Sequence, residues 1–264
     1  MPETMSYDVG TPGWVELSTP DMRASKAFYR GLFGWSSYTL VDTVVGDYEV
    51  FTLDGPETPP VAGLSPLTDD AMSPSWTCYF TVRDLDEATR AIRDAGGQVV
   101  VDRLDMGRMG LIALAFDGEG AGFGLWERRA LDESAQRDEM NTLAWVELTC
   151  RDTASAKEFY GRVLGWKEPL ERRATSGDVS YLWRVEGRPV ATLACDGSGE
   201  LEKEDGASAR WVPCFAVADC AAAASEAMRL GGSVASPCSD TPIGCGAGLV
   251  DSTFAPLSII QPPP

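Results

Sequence analysis

Residues 14–35 read WVELSTPDMRASKAFYRGLFGW, and residues 145–166 read WVELTCRDTASAKEFYGRVLGW. Both stretches begin with Trp-Val-Glu-Leu, carry Lys, Phe and Tyr at equal spacing, and end with Gly-Trp. A second correspondence links residues 76–97 with residues 211–232, each of which opens on Trp and closes on Gly-Gly. Agreement over two separate stretches indicates that the chain is an internal duplication.

The first stretch predicts a strand followed by a helix. Val15 and Leu17 alternate with polar or aromatic neighbours, which is the period of a strand with two different faces. Asp21 or its neighbour is predicted to cap a helix over about 22–32, which ends at Gly34. The buried stripe of this helix is predicted to consist of small and aromatic residues, namely Ala24, Ala27, Phe28 and Gly31.

Three further strands are predicted near 36–42, 47–53 and 60–65, separated by Gly and Pro turns. The pattern restarts at 76–82 with a strand, a helix over 85–95, and three more strands. The second half repeats this plan, so the sequence predicts an α+β protein of four βαβββ units. We expect an N-terminal tail (1–10), a first domain (11–129), a polar linker (130–141) and a second domain (142–264).

These residues resemble the vicinal oxygen chelate superfamily, which includes glyoxalase I, extradiol dioxygenases, fosfomycin-resistance enzymes and bleomycin-binding proteins. The similarity rests on the strand endings VELSTPD and YFTVRD and on the helix motifs KAFYRGLFGW and KEFYGRVLGW. It covers nearly the whole chain. The resemblance implies that pairs of βαβββ units form two cupped, eight-stranded mixed sheets with helices on the outer face.

In relatives that carry a metal, the resemblance implies His, Glu or Gln ligands on the concave face. The chain has no histidine, and none of the matching positions holds a metal-binding residue. Those positions hold Trp14, Thr77, Trp145, Val212, Gly124 and Ser258. We therefore expect no metal and no other cofactor.

Two glutamates remain on the predicted inner face. Glu16 and Glu147 lie two residues beyond the altered ligand positions, so strand alternation points them into the same cup. A carboxylate is costly to bury without a partner. Each glutamate is therefore either a general base or recognition group, or a structural acceptor for a neighbouring strand.

Aromatic side chains are predicted to share these faces. Trp14, Tyr79 and Trp126 are assigned to the first cup, and Trp145 and Cys214 to the second. The aromatic rings either stack on a planar ligand or fill the cup. Cys214 is not expected to be a nucleophile, because no histidine is available to lower its pKa. We expect the more aromatic first cup to be the active one.

Composition limits the partners. The formal net charge is −18 at pH 7, which argues against nucleic acid and anionic membranes, since both are polyanions. The seven cysteines form no CxxC pair, which argues against a disulfide framework. The polar N-terminus carries no secretory signal pattern. We expect a cytoplasmic monomer or homodimer whose partner is a small molecule.

Three functions are compatible with this sequence. The first, which the residues favour, is a metal-independent binder that sequesters an aromatic natural product or antibiotic. The second is a metal-independent lyase, isomerase, cyclase or hydrolase that uses Glu16 or Glu147 as its base. The third is a regulatory or interaction protein whose cavities are vestigial.

Overall fold

A computed structural model describes most of the chain. The described residues are 9–43, 46–69, 72–129, 139–173, 179–196, 209–241 and 243–263. Most of the predicted tail (1–10) and linker (130–141) lies outside these residues. The domain boundaries drawn from the repeat therefore stay a prediction.

The first half of the chain contains two successive βαβββ units, as predicted. Its elements are β1 (Pro12–Thr19), α1 (Met22–Phe33), β2 (Ser36–Thr43), β3 (Gly46–Thr52), β4 (Pro60–Pro66), β5 (Ser75–Val82), α2 (Leu85–Asp94), β6 (Gln98–Asp105), a 3-10 turn (Gly107–Met109), β7 (Gly110–Phe116) and β8 (Gly122–Arg128).

The second half repeats the order. Its elements are β9 (Leu143–Cys150), α3 (Thr153–Leu164), β10 (Leu170–Arg173), β11 (Val179–Val185), β12 (Arg188–Cys195), β13 (Arg210–Ala216), α4 (Cys220–Arg229), β14 (Ser233–Thr241), β15 (Gly244–Val250) and β16 (Pro256–Gln261). None of the helices in the described part of the chain is long and apolar enough to cross a bilayer.

The strands form two eight-stranded sheets with the same order. The first runs β2-β3-β4-β1-β5-β8-β7-β6, and the second runs β10-β11-β12-β9-β13-β16-β15-β14. Both sheets are mixed, because β1 pairs with β4, β5 with β8 and β13 with β16 in parallel, while the hairpins are antiparallel. The predicted α+β class with two eight-stranded mixed sheets is confirmed.

Helix α1 begins and ends where the sequence indicates. The Asp21 carboxylate accepts the Ala24 backbone N–H, and Gly34 ends the helix in the left-handed conformation that glycine adopts without a Cβ penalty. Of the predicted buried stripe, Phe28 is buried and Ala24 is partly buried, whereas Ala27 and Gly31 are exposed. The buried residues are Ser25, Phe28, Tyr29 and Phe33.

Ser25 explains this error. Its hydroxyl is fully buried and hydrogen-bonded to the hydroxyls of Thr19 and Thr253, at 2.9 and 3.3 Å. A polar residue therefore takes the centre of the stripe, where hydrophobic periodicity leads one to expect an apolar residue.

The chain folds into two compact units, and neither unit coincides with one sequence repeat. Unit one comprises residues 1–13, 78–134 and 147–211, and unit two comprises residues 14–77, 135–146 and 212–264. Each unit thus draws segments from both halves of the sequence.

The core of unit two is organised around the Tyr29 hydroxyl. Tyr29 donates to the Asp251 carboxylate at 2.9 Å and accepts the Trp76 indole N–H at 3.3 Å. Its ring stacks on Trp35 with centroids 5.5 Å apart. Burial and the neighbouring Asp251 charge raise the pKa of Tyr29, so the phenol stays protonated and remains a donor.

Unit one repeats this arrangement with the other copy of each residue. Tyr160 donates to the Asp117 carboxylate at 2.9 Å and accepts the Trp211 indole N–H at 2.7 Å. Burial raises the pKa of Asp117, although backbone and Tyr160 hydrogen bonds oppose the shift. The Tyr of each FY motif is therefore a core residue that ties a helix to the turn before a last strand.

Candidate functional site

Strand β1 presents two different faces. Val15 and Leu17 are completely buried, whereas Trp14 and Glu16 are partly exposed. The alternation predicted from the sequence is confirmed for this strand. The face that carries Trp14 and Glu16 is the candidate site of the first repeat.

A chain of hydrogen bonds joins these residues to β3 and β4 within unit two. The Trp14 Nε1–H donates to the Tyr48 hydroxyl at 3.0 Å, and Tyr48 donates to the Glu16 carboxylate at 3.1 Å. The Ser65 hydroxyl donates to the other Glu16 oxygen at 2.9 Å. We call these four residues the Glu16 network. It fixes both the indole plane and the carboxylate.

Gly63 makes the network possible. This glycine lies opposite Glu16 in the parallel pair of β1 and β4. A Cβ at this position would overlap the Tyr48 hydroxyl and approach the Trp14 indole nitrogen to 3.0 Å. The absence of a side chain at Gly63 therefore leaves room for the Tyr48 hydroxyl.

Glu16 differs from an ordinary surface glutamate in its pKa. Burial raises the pKa of Glu16, and the hydrogen bonds from Ser65 and Tyr48 only partly offset that effect. The side chain is still partly exposed. A carboxylate with a raised pKa on a partly exposed residue is a candidate to accept a proton or a hydrogen bond from a ligand.

The other predicted aromatic residues of the first repeat belong to unit one. Tyr79 is 5% exposed, and its ring occupies the space left by Gly124, where a Cβ would overlap it. Trp126 donates its indole N–H to the Met109 carbonyl at 2.8 Å. The Arg128 guanidinium lies 4.4 Å from the Trp126 ring centroid in a cation–π contact.

The equivalent residues of the second repeat pack into an apolar cluster. Trp145, Cys214 and Ile260 are 8%, 1% and 2% exposed and pack together, with Ala144 and Ile243 against them. Of these residues, Trp145 and Cys214 were predicted to line the second cup. Both are buried side chains of this cluster in unit two.

Glu147 is partly exposed, but its surroundings differ from those of Glu16. The segment PVAGLS at 60–65 recurs as PVATLA at 189–194. Thr192 thus replaces Gly63, and Ala194 replaces Ser65. The strand registers place Ser180 where the first repeat has Tyr48. The two predicted glutamates are therefore not equivalent.

The first-strand position does not fit a metal ligand. The Trp14 indole nitrogen is a hydrogen-bond donor only, and its proton is directed at Tyr48. Over the residues that the structure describes, no group of three or more His, Cys, Asp or Glu side chains is placed to hold a metal ion. The donor set on this face does not fit the divalent metal that the resemblance implies.

Sequence reasoning identified Trp14 and Glu16 but missed their partners. Tyr48 and Ser65 lie on strands that were predicted only from the Gly and Pro turns between them. The available signal was the difference between PVAGLS and PVATLA, in which a glycine and a serine occur in only one copy.

Comparisons with known proteins agree with this architecture. The model of the family described as "Glyoxalase/Bleomycin resistance protein/Dioxygenase superfamily" matches residues 11–124 and 142–254. The "Anthracycline biosynthesis protein DauV" of Streptomyces sp. (strain C5) is 32% identical over 263 residues, which cover 96% of this chain and 93% of that protein.

A second relative and a solved structure are also similar to this chain. The "Putative glyoxylase CFP32" of Mycobacterium bovis is 32% identical over 267 residues, 100% of this chain and 99% of that protein. The crystal structure of the Mn(II)-bound glyoxalase from Novosphingobium aromaticivorans superposes with a TM-score of 0.63 at 15% identity, over 96% of this chain and 82% of that one. At this identity, the structural match concerns the fold alone.

Proposed function

Because the chain belongs to the glyoxalase/bleomycin resistance protein/dioxygenase superfamily, we propose that it binds a small planar molecule at the Glu16 network without a metal. The observation that carries this proposal is the hydrogen-bonded chain from Trp14 through Tyr48 to Glu16. It holds an aromatic ring and a carboxylate, both partly exposed, at the position where a metal ligand would otherwise lie.

The two groups recognise complementary parts of a ligand. The Trp14 indole offers a flat surface for stacking, worth about 0.5–1.5 kcal/mol beyond the area it buries. Its orientation is fixed by Tyr48 before the ligand arrives, so little side-chain entropy is lost on binding. Glu16 accepts a hydrogen bond from a hydroxyl or amino group at the edge of the ligand.

The ligand class is supported by the named relatives. DauV is described as an anthracycline biosynthesis protein, and anthracyclines are fused-ring aromatic compounds. We therefore propose a hydroxylated, fused-ring aromatic natural product as the ligand, which the protein sequesters.

Tryptophan fluorescence tests this proposal. We expect 1,8-dihydroxyanthraquinone to quench the fluorescence saturably, and Trp14→Leu to weaken binding by about tenfold, since one stacking contact is worth about that factor. The matched control is Trp145→Leu, which changes the equivalent residue of the second repeat and should leave the Kd unchanged. Equal affinity in wild type and Trp14→Leu would contradict the proposal and favour the hypothesis of a regulatory or interaction protein whose cavities are vestigial.

A second function is favoured by the pKa of Glu16. Burial raises the pKa of this carboxyl, which makes it a stronger base than an ordinary glutamate. In this alternative, Glu16 removes a proton from a bound carbon or oxygen acid, and the Tyr48 and Ser65 hydroxyls hold the carboxylate in place. Such chemistry would serve a metal-independent lyase, isomerase or cyclase.

Deuterium exchange distinguishes the enzyme from the binder. If Glu16 is a base, a ligand with an acidic C–H should incorporate deuterium from D2O in the presence of the protein, as read by mass spectrometry. Glu16→Gln should reduce that rate by about 10²–10⁴-fold with little change in affinity. Glu147→Gln is the control and should retain the exchange. Loss of affinity without prior exchange in wild type would identify Glu16 as a recognition group only.

A further inference from the structure

Three of the seven cysteines lie together in unit two. Cys220 is the first residue of α4, Cys238 lies on β14 and Cys245 lies on β15. The Cys220 thiol donates to the Cys238 sulfur with 3.3 Å between the two Sγ atoms. Cys245 is within hydrogen-bonding reach of Cys220 as well. We call these residues the thiol trio.

The fold does not require thiols at these positions. In the first repeat, Leu85 follows the helix-capping aspartate where Cys220 does in the second, and Leu111 follows Gly110 as Cys245 follows Gly244. Both leucines are buried core residues, 0% and 2% exposed. The same architecture is therefore satisfied by aliphatic packing in one copy and carries sulfur in the other.

The three cysteines differ in their exposure to solvent. Cys220 is fully buried, whereas Cys238 and Cys245 are partly exposed. Burial raises the pKa of the Cys220 thiol, and the neighbouring Cys238 and Cys245 raise it further. Since the thiolate is the reactive form, an oxidant from solution meets Cys238 before Cys220.

We propose that the thiol trio is an oxidation site, at which hydrogen peroxide converts Cys238 and Cys220 into a reversible disulfide. The Cys238 sulfur attacks one peroxide oxygen, so that an S–O bond forms, the O–O bond breaks and one water leaves. This gives a sulfenic acid. The Cys220 sulfur then attacks Cys238, so that the S–S bond forms and the hydroxyl leaves with the Cys220 proton as a second water. Two thiols are oxidised and one peroxide is reduced.

The backbone around Cys238 can accommodate this bond. The sulfurs must approach from 3.3 Å to about 2 Å. The register of β14 against β15 shifts twice, between Val234 and Ser236 and between Ser236 and Ser239, so the ladder around Cys238 is already irregular. Where the ladder is disrupted, the backbone can shift more easily than in a regular strand.

The experiment uses the reduced, full-length chain and hydrogen peroxide. We expect the wild type to lose two free thiols and two hydrogen atoms of mass, with a peptide map that links Cys220 to Cys238, and dithiothreitol to restore both thiols. Cys238→Ser should prevent the link. Cys220→Ser should leave Cys238 as a sulfenic acid that dimedone traps. Cys195→Ser is the control, since Cys195 is an exposed thiol of unit one, and it should leave the link intact.

Two results would overturn the proposal. One is a peptide map of the peroxide-treated wild type in which Cys220 and Cys238 stay reduced while other thiols are oxidised. The other is direct over-oxidation of Cys238 to a sulfinic acid without a disulfide. Both are read on the wild-type protein, so they do not depend on whether either serine variant folds.

Discussion

At the scale of single residues, Gly63 decides how the face of β1 that carries Glu16 is built. Its missing Cβ leaves room for the Tyr48 hydroxyl, which accepts from Trp14 and donates to Glu16. Thr192 holds the matching position of the second repeat. The glycine that leaves room for Tyr48 in the first repeat thus has a β-branched counterpart in the second.

Gly63→Ala should break the Glu16 network. The added methyl group displaces Tyr48, so that Glu16 loses one of its donors and Trp14 its acceptor. We expect the free energy of unfolding to fall by about 1–3 kcal/mol, as measured by urea denaturation. Gly118→Ala is the matched control, because no atom lies within 4 Å of a Cβ at that position. Equal losses in both variants would contradict the steric explanation.

Glu16→Gln should change the pH dependence of stability. The pKa of Glu16 in the folded protein is raised above its ordinary value of 4.5, so the native state binds this proton more tightly than the unfolded state. The resulting stabilisation is complete below about pH 4.5 and is lost as the pH rises through the folded pKa.

The measurement compares urea unfolding of wild type and Glu16→Gln from pH 4 to pH 8. Relative to the variant, wild type should lose stability as the pH rises from about 4.5 and then level off above the folded pKa. A difference between the two proteins that is constant over this range would show that Glu16 titrates alike in both states.

At the scale of elements, the helices α1 and α3 are anchored to the core by the same pattern of hydrogen bonds. Each projects a tyrosine whose hydroxyl donates to a buried aspartate and accepts a tryptophan N–H. The FY motif that identifies the repeat in the sequence is therefore explained by core structure. It carries no information about chemistry at the candidate site.

Tyr29→Phe and Tyr160→Phe should each cost about 1–3 kcal/mol in the free energy of unfolding. Either change leaves a buried carboxylate without its phenolic donor and a buried indole N–H without its acceptor. Thermal or urea denaturation measures the loss. Tyr181→Phe is the control, because the ring under Lys157, 3.5 Å from its Nζ, is retained. A loss as large in the control would show that the phenolic hydrogen bonds are not the cause.

At the scale of the whole molecule, the duplication and the compact units divide the chain differently. The repeat divides the sequence into halves, whereas each compact unit combines segments of both halves. The core tyrosines show the consequence, because Tyr29 bonds to Asp251 and Tyr160 to Asp117.

Separated halves should therefore not fold alone. Residues 1–138 or 139–264 expressed by themselves lack part of both units, and the exposed apolar cores cannot offset the conformational entropy of folding. We expect no cooperative thermal transition from a monomeric half by circular dichroism, and recovery of the transition when the two halves are refolded together. A half that melts cooperatively as a monomer would contradict this.

The sequence by itself determined the duplication, the four βαβββ units, the helix ends and the family, because each rests on local periodicity, capping residues or repeated motifs. It also placed Trp14 and Glu16 on one strand face, since alternation along a strand is local. It could not show that Tyr48, Ser65 and Gly63 complete that site, or that Trp145 and Cys214 belong to a packed core. Those relations depend on strand register and on the volume left by a missing side chain, which only tertiary structure decides.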